Sequence, residues 1–282
     1  MGCLSSIVSS DLVKATNMKM TIALFAALIT MGTMQFNRAA AADTVYVRSG
    51  SLKPSVLKEG THRYLVYFKM GKDSNRIMTQ FWTRSIAKTL YADKPAILIQ
   101  QSWEDKDTVI HTTTSYCAAA DLQPLYHEYW WNKRGNGVVN FVKGELVLNG
   151  SKVQDTDTAR QRKASFAAFQ QAQQRFVLNW HLDLETFPTL PYKIGRVFSI
   201  PFYEPGSIPP VNAVYTVSGE DKLMGYDDKT VDCWILVHED KGNLERFWIS
   251  KKTKEVLKLE QEITQRNNQK MYRYKVKLAF SS

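Results

Sequence analysis

The sequence predicts a mainly β domain of hairpin-linked strands, interrupted once by a helical crossover. Three observations carry this. Runs of β-branched and aromatic residues alternate with a period of two along most of the chain. Clusters of Gly, Pro, Asn and Asp separate those runs, as tight connections require. Only the stretch from Thr158 to His181 changes to a helical period.

Taken in order, strands are expected at Arg63 to Lys69, Ile77 to Thr83, Pro95 to Trp103, Thr108 to Tyr116, Leu125 to Asn132 and Val138 to Leu148. Arg134-Gly135-Asn136-Gly137 marks a hairpin between the aromatic run Tyr126 to Trp131 and Val138 to Phe141, because Gly and Asn tolerate positive φ. From Thr158 to His181, Phe166, Phe169, Phe176 and Trp180 form one stripe, with Gln170, Gln171, Gln173, Gln174 and Arg175 opposite. That spacing predicts one amphipathic helix ending before Pro188.

A second strand series is expected at Arg196 to Tyr203, Ala213 to Gly219, Thr230 to His238, Glu245 to Ser250, Glu255 to Thr264 and Met271 to Phe280. In the last of these, Tyr272, Tyr274, Val276, Leu278 and Phe280 are expected to face the core, and Arg273, Lys275 and Lys277 to face water. The loop Glu204 to Pro210 reads as a connection within one domain, not as a linker between two.

Met18 to Thr44 has the parts of a secretory signal. Lys19 supplies the positive start, Ile22 to Met31 an apolar run of about ten residues, and Ala39 to Ala42 the small residues before a cleavage site. Roughly 20 apolar residues are needed to span a bilayer, so the run is expected to be cleaved near Ala42, leaving a periplasmic or otherwise exported domain over 43–282. Met1-Gly2-Cys3 matches an acylation pattern, but residues 1–17 read as an upstream extension before the signal.

Removal of residues 1–42 lowers Lys plus Arg from 37 to 34 and Asp plus Glu from 27 to 26, a net charge of +8 against +10 for the whole chain. In an exported protein that balance argues against nucleic acid and toward an anionic membrane surface, lipopolysaccharide, a cell-wall polymer or an envelope protein, although the plainer reading is that the Lys and Arg are the solvated faces of strands. Cys117 and Cys233 remain in a compartment that permits disulfides; Cys233, in an apolar run, reads as a buried free thiol, and sequence does not supply the geometry of a bridge.

Ala120-Asp121-Leu122-Gln123-Pro124, Leu190-Pro191-Tyr192-Lys193-Ile194-Gly195, Tyr215-Thr216-Val217-Ser218-Gly219-Glu220, and Phe247-Trp248-Ile249-Ser250 with Val256-Leu257-Lys258 come in a recognisable order. In this the chain resembles the exported bacterial family called domain of unknown function 3108, from about Gly60 to Leu278. The resemblance implies a single strongly curved antiparallel sheet, an open barrel or clam similar to periplasmic lipoprotein carriers. It implies no catalytic residue.

Motifs of catalysis are missing: there is no G-x-S-x-G, no phosphate-binding loop, no G-x-G-x-x-G after a strand and no H-E-x-x-H. His181-x-Asp183-x-Glu185 reads as capping the end of the helix in preference to ligating a metal, and Asp227-Asp228 and Glu239-Asp240 read as solvated turns. No enzyme, metal or cofactor is expected.

Seven Trp stand out, namely Trp82, Trp103, Trp130, Trp131, Trp180, Trp234 and Trp248. Adjacent Trp130 and Trp131 must face opposite sides of a strand. Two functions follow. One is a binding or carrier protein for a lipid or other apolar or amphipathic ligand, held in an aromatic trough lined by Trp130, Trp234 or Trp248. The alternative is an envelope scaffold whose barrel is filled, binding a protein through an exposed edge such as Tyr126 to Trp131.

Overall fold

A computed structural model describes residues 43–205, 209–225, 227–265 and 267–279. The segment expected to be a signal, Met18 to Ala42, and Phe280 lie outside the described residues. The strands are β1 (Thr44–Tyr46), β2 (Gly60–Lys69), β3 (Ile77–Tyr91), β4 (Lys94–Asp105), β5 (Thr108–Ala118), β6 (Pro124–Trp131), β7 (Gly135–Asn140), β8 (Glu145–Leu148) and β9 (Ser151–Lys152). Helix α1 (Arg160–Gln173), β10 (Leu178–Asn179), a 3-10 turn (Trp180–Leu182), α2 (Asp183–Thr186) and a second 3-10 turn (Phe187–Thr189) form the crossover. Then come β11 (Val197–Tyr203), β12 (Val211–Met224), β13 (Thr230–Asp240), β14 (Asn243–Ser250), β15 (Val256–Thr264) and β16 (Lys270–Lys277).

All of these strands join one curved sheet in the order β1-β11-β12-β13-β14-β15-β16-β2-β3-β4-β5-β6-β7-β8-β9, with β10 beside β11. After β1 at one end, the chain enters the middle of the sheet at β2, runs out to β9, crosses over, and returns from β11 beside β1 until β16 pairs with β2. The sheet stays open, because β1 and β9 are its ends. Curvature has a local cause: register shifts at Val66/Phe68, Trp103/Glu104, Tyr116/Cys117, Val217/Gly219 and Trp248/Ile249 add residues on one strand and tighten its twist.

Most pairs are antiparallel, but β1 and β10 both run parallel to β11, which makes the sheet mixed. The two short strands share one edge of β11, at Val197–Ser199 and Phe202–Tyr203, on either side of Pro201. Proline has no N–H to donate, so it suits the gap between two partners.

The helix α1 is shorter than its apolar stripe suggested: it stops at Gln173, before Phe176 and Trp180. It lays Ala168, Phe169 and Ala172 on Val139 and Leu146 of β7 and β8, and burial of a Phe such as Phe169 is worth about 1.5 to 3 kcal/mol. The expected strand from Val138 to Leu148 is two strands, β7 and β8, with a turn between them. The turn before β7 falls earlier than expected, at Asn132 to Arg134, with Lys133 at φ 63°. Gly137 lies inside β7, where a Cβ would come within 2.6 Å of the Tyr129 ring.

Two further expectations are corrected. The period of β16 is as read, but its faces are reversed: Lys275 is 3% and Lys277 7% exposed, whereas Tyr272, Tyr274 and Val276 are only partly buried and Leu278 is 36% exposed. The concave side carries carboxylates that pair with these cations, so charge there is not a sign of water. The aromatic run Tyr126 to Trp131 is no sheet edge either, because β6 is paired on both sides. Cys117 and Cys233 are both buried free thiols.

Candidate functional site

Register builds the site. Trp82 of β3 is opposite Trp103 of β4, Trp103 opposite His111 of β5, and His111 opposite Trp131 of β6, so four rings form one row across the concave face. The Trp82 and Trp103 rings are stacked, with centroids 3.6 Å apart and planes within 4°. His111 stacks on Trp131 at 3.7 Å, and Trp103 meets both edge-on.

The next row, two residues along, is Arg84, Gln101, Thr113 and Tyr129. Arg84 is 1% exposed and spends its donors on the crossover. Its Nε donates to Glu185 Oε1 at 2.8 Å, Nη1 to Gln101 Oε1 at 2.9 Å, and Nη2 to the His181 carbonyl at 2.8 Å and to Glu185 Oε2. Gln101 Nε2 donates to the same carbonyl at 2.9 Å. This bidentate pair is the clamp that pins the turn Trp180–Leu182 and α2 against the sheet, and thereby sets Trp180, His181 and Asp183.

The opposite wall comes from β16 and β14. Lys275 Nζ lies 4.0 Å from Asp183 Oδ2 and 4.5 Å from the Trp82 ring centroid, a cation over an indole face. Burial lowers the Lys275 pKa to about 8, against the pull of Asp183. Arg273 Nη2 lies 3.9 Å from Glu245 Oε1, and burial raises the Glu245 carboxyl pKa even with that cation near. Burial also raises the Glu204 carboxyl. Between the walls lies a solvent-open pocket of about 350 Å³, with Trp82, Trp103 and Trp180 as its apolar surface and the charged groups just described around them.

Beside the pocket three imidazoles cluster, with the His181 ring centroid 5.7 Å from that of His111 and 5.0 Å from that of His127. His111 Nδ1 donates to the Trp130 carbonyl at 2.8 Å, while His127 Nδ1 accepts from Asn179 Nδ2 at 3.0 Å. Burial holds all three below the usual histidine range, His111 to about 4 and His181 to about 3, so each is neutral near pH 7. The Nε2 atoms of His111 and His127, the Thr113 hydroxyl and Arg273 Nε are buried without a partner among the described residues. Among those residues, no three His, Cys, Asp or Glu side chains are grouped to hold a metal ion.

The three Trp singled out in the sequence lie elsewhere. Trp130 is 40% exposed, on the face opposite Trp131. Trp234 is half-buried against Tyr192, its ring covered by Lys251 at 4.4 Å. Trp248 is buried with Val231, Cys233, Ile235 and Leu257, and donates from Nε1 to Asp221 at 2.9 Å. His181 and Asp183 do line the pocket, and Glu185 anchors it through Arg84. Trp82-x-Arg84 and Gln101-x-Trp103 are the signal that was there to be used, an aromatic and a polar residue in phase on neighbouring strands.

A strand-rich chain with this order of segments matches the family described as Protein of unknown function (DUF3108) over residues 63–271. The chain belongs to that family. The DUF3108 match runs from β2 into β16 and includes every pocket residue except Arg273 and Lys275, which follow directly. No curated protein matches the chain.

Proposed function

We propose that this DUF3108 protein is an exported, non-enzymatic binding protein of the cell envelope, and that the concave pocket holds a compact amphipathic ligand. The pocket itself carries this reading: an indole surface on one side, paired charges on the other, and an opening to solvent. Small-molecule sites are built this way, with apolar walls and a few placed polar groups, and about 350 Å³ sits at the low end of their usual range. A ring or short apolar segment packs on Trp103 and Trp180, and polar groups of the ligand reach the loosely spaced Lys275–Asp183 and Arg273–Glu245 pairs. A long acyl chain does not fit this account, because Phe187, Phe202, Tyr215 and Phe247 fill the rest of the concave side. The signal-like segment from Met18 to Ala42 supports export.

That filled core favours a second reading, an envelope scaffold in which the pocket binds nothing. Titration with 1-anilinonaphthalene-8-sulfonate, a ring-bearing amphipath, separates the two. The binding protein shows one saturable site, weakened about tenfold or more in Trp103→Ala and unchanged in Trp130→Ala, with melting temperatures read on the same samples. Absence of saturable binding, or equal loss in both variants, favours the scaffold.

A further inference from the structure

We propose that the β2–β3 hairpin docks the protein onto an anionic phospholipid surface. The inference is independent of what the pocket holds. Residues 70–76 form the connection, which its own hydrogen bonds shape: Lys69 Nζ donates to the Lys72 carbonyl at 2.9 Å, Ser74 N to the Gly71 carbonyl at 3.3 Å, and the Ser74 hydroxyl to the Met70 carbonyl. Just beyond it, Ile77 is 38% and Met78 49% exposed, side by side. Aliphatic side chains at a hairpin end gain nothing from water and gain by entering the headgroup boundary of a bilayer.

Around that tip the convex face is aromatic and basic. Tyr67 and Tyr274 are register partners on β2 and β16, with rings stacked at 5.0 Å. Arg76 lies 4.3 Å over Tyr67, Lys72 5.8 Å over Tyr272, and Arg63 5.5 Å over Phe81. Among the described residues none of these three cations is within 4.0 Å of a carboxylate, unlike Lys88, Lys152 or Lys270, each of which is paired with a Glu. Glu260 and Glu262, the acids facing the same patch from β15, are held by Lys258 and Lys270.

Arg63, Lys69, Lys72 and Arg76 therefore stand against Asp73 within this stretch and Glu104, the register partner of Phe81 on β4, which leaves positive charge for phosphate headgroups. Ile77 shares the register row of Phe68 and Arg273, and Tyr67 and Tyr274 flank it on the convex face; tyrosines near exposed aliphatics are the side chains that settle at a membrane–water interface. The placement also puts the pocket beside the surface. Arg273 pairs with Phe68, and Phe68 with Ile77, so the tip is two strand spacings, roughly 10 Å, from a pocket wall.

Vesicle co-sedimentation of the signal-free chain tests this, with phosphatidylcholine vesicles with or without about 30% phosphatidylglycerol. The expected result is binding to the anionic vesicles, lost at high salt and absent from the neutral ones. Lys72→Glu with Arg76→Glu should weaken it roughly thirtyfold or more, since each basic residue near such a surface contributes about 1 kcal/mol. Ile77→Asn with Met78→Asn should weaken it about tenfold, and Asn is suited to Met78, whose φ is 49°. Lys94→Glu, at the opposite end of β3 and β4, should change little. Any of three results overturns the proposal: no preference for anionic vesicles, hairpin variants that bind as wild type, or a Lys94→Glu loss equal to theirs. Self-association broken by the hairpin variants, without vesicle binding, would instead assign the patch to a second copy of the chain.

Discussion

Under β11 to β14 the concave face is packed with Phe198, Phe202, Tyr215 and Phe247, each at most 1% exposed, and Phe187 from the crossover seals them. Across β16 and β2 to β5 the same face carries Arg273, Lys275, Arg84 and Gln101, with Glu185 and Asp183 from the crossover among them. The apolar half is held by area removed from water and asks only for shape. The charged half is held by partners, because each buried ion needs its counterion in place. The difference shows which half of the concave face keeps open space. Apolar side chains close up on each other, even around the Tyr215 hydroxyl, which has no partner among the described residues, whereas the charged pairs 3.9 and 4.0 Å apart leave room beside unpartnered atoms such as Arg273 Nε and the Thr113 hydroxyl.

The sharpest way to break the comparison is to remove one member from each half. Arg84→Met should cost about 3 to 5 kcal/mol by leaving Glu185 buried and unpaired, and adding Glu185→Leu should recover most of it. Phe187→Ala should cost a similar 3 to 5 kcal/mol, roughly, with no second substitution that restores it. Denaturant midpoints read both. A double variant as unstable as Arg84→Met alone would mean that the arginine acts by filling space.

On β16 the two faces can be compared directly. Lys275→Asp sets a carboxylate beside Asp183 and Glu245 and should cost several kcal/mol, whereas Val276→Asp on the convex face should cost about 1 kcal/mol. A larger loss of melting temperature in Val276→Asp than in Lys275→Asp would restore the face assignment that alternation alone suggests, and equal losses would contradict both.

The charged half should also be the acid-sensitive one. His111, His127 and His181 have folded pKa values below the unfolded value near 6.5, so the unfolded chain takes up protons first. Stability is then full above about pH 6.5 and falls as pH drops toward about 3, with His111 alone contributing on the order of 2 to 3 kcal/mol. His111→Gln should flatten that part of the profile in denaturation curves run from pH 7 to 4. The smallest effect is expected at the surface, where Lys152→Ala breaks a solvent-exposed pair with Glu145 and should change stability by no more than about half a kcal/mol.

Alternation made twelve strand segments legible, since β-branched and aromatic residues repeat every second position from β2 to β7 and from β11 to β16. It was blind to β1, β9 and β10, which are two or three residues long and too short to show a period. Alternation says that two faces differ and not which is concave, so the ion pairs of β16 inverted the reading of Lys275 and Lys277. Trp130 and Trp131 were seen to face apart, yet only the pairing of Trp131 with His111 tells which turns inward. The spacing of His181, Asp183 and Glu185 was visible within one segment. Their partners Arg84 and Lys275 are about 100 residues away on either side, and the β16–β2–β3 adjacency that gathers them leaves no local trace in the sequence.

The central claim is that the charged half holds a ligand and the apolar half does not. Native mass spectrometry of the protein recovered from its own cells measures this directly. The account predicts a stoichiometric small amphipathic molecule on wild type, lost from Trp103→Ala and from Trp180→Ala and retained by Trp130→Ala. A bare protein, or a bound molecule that survives both pocket substitutions in folded protein, would contradict it.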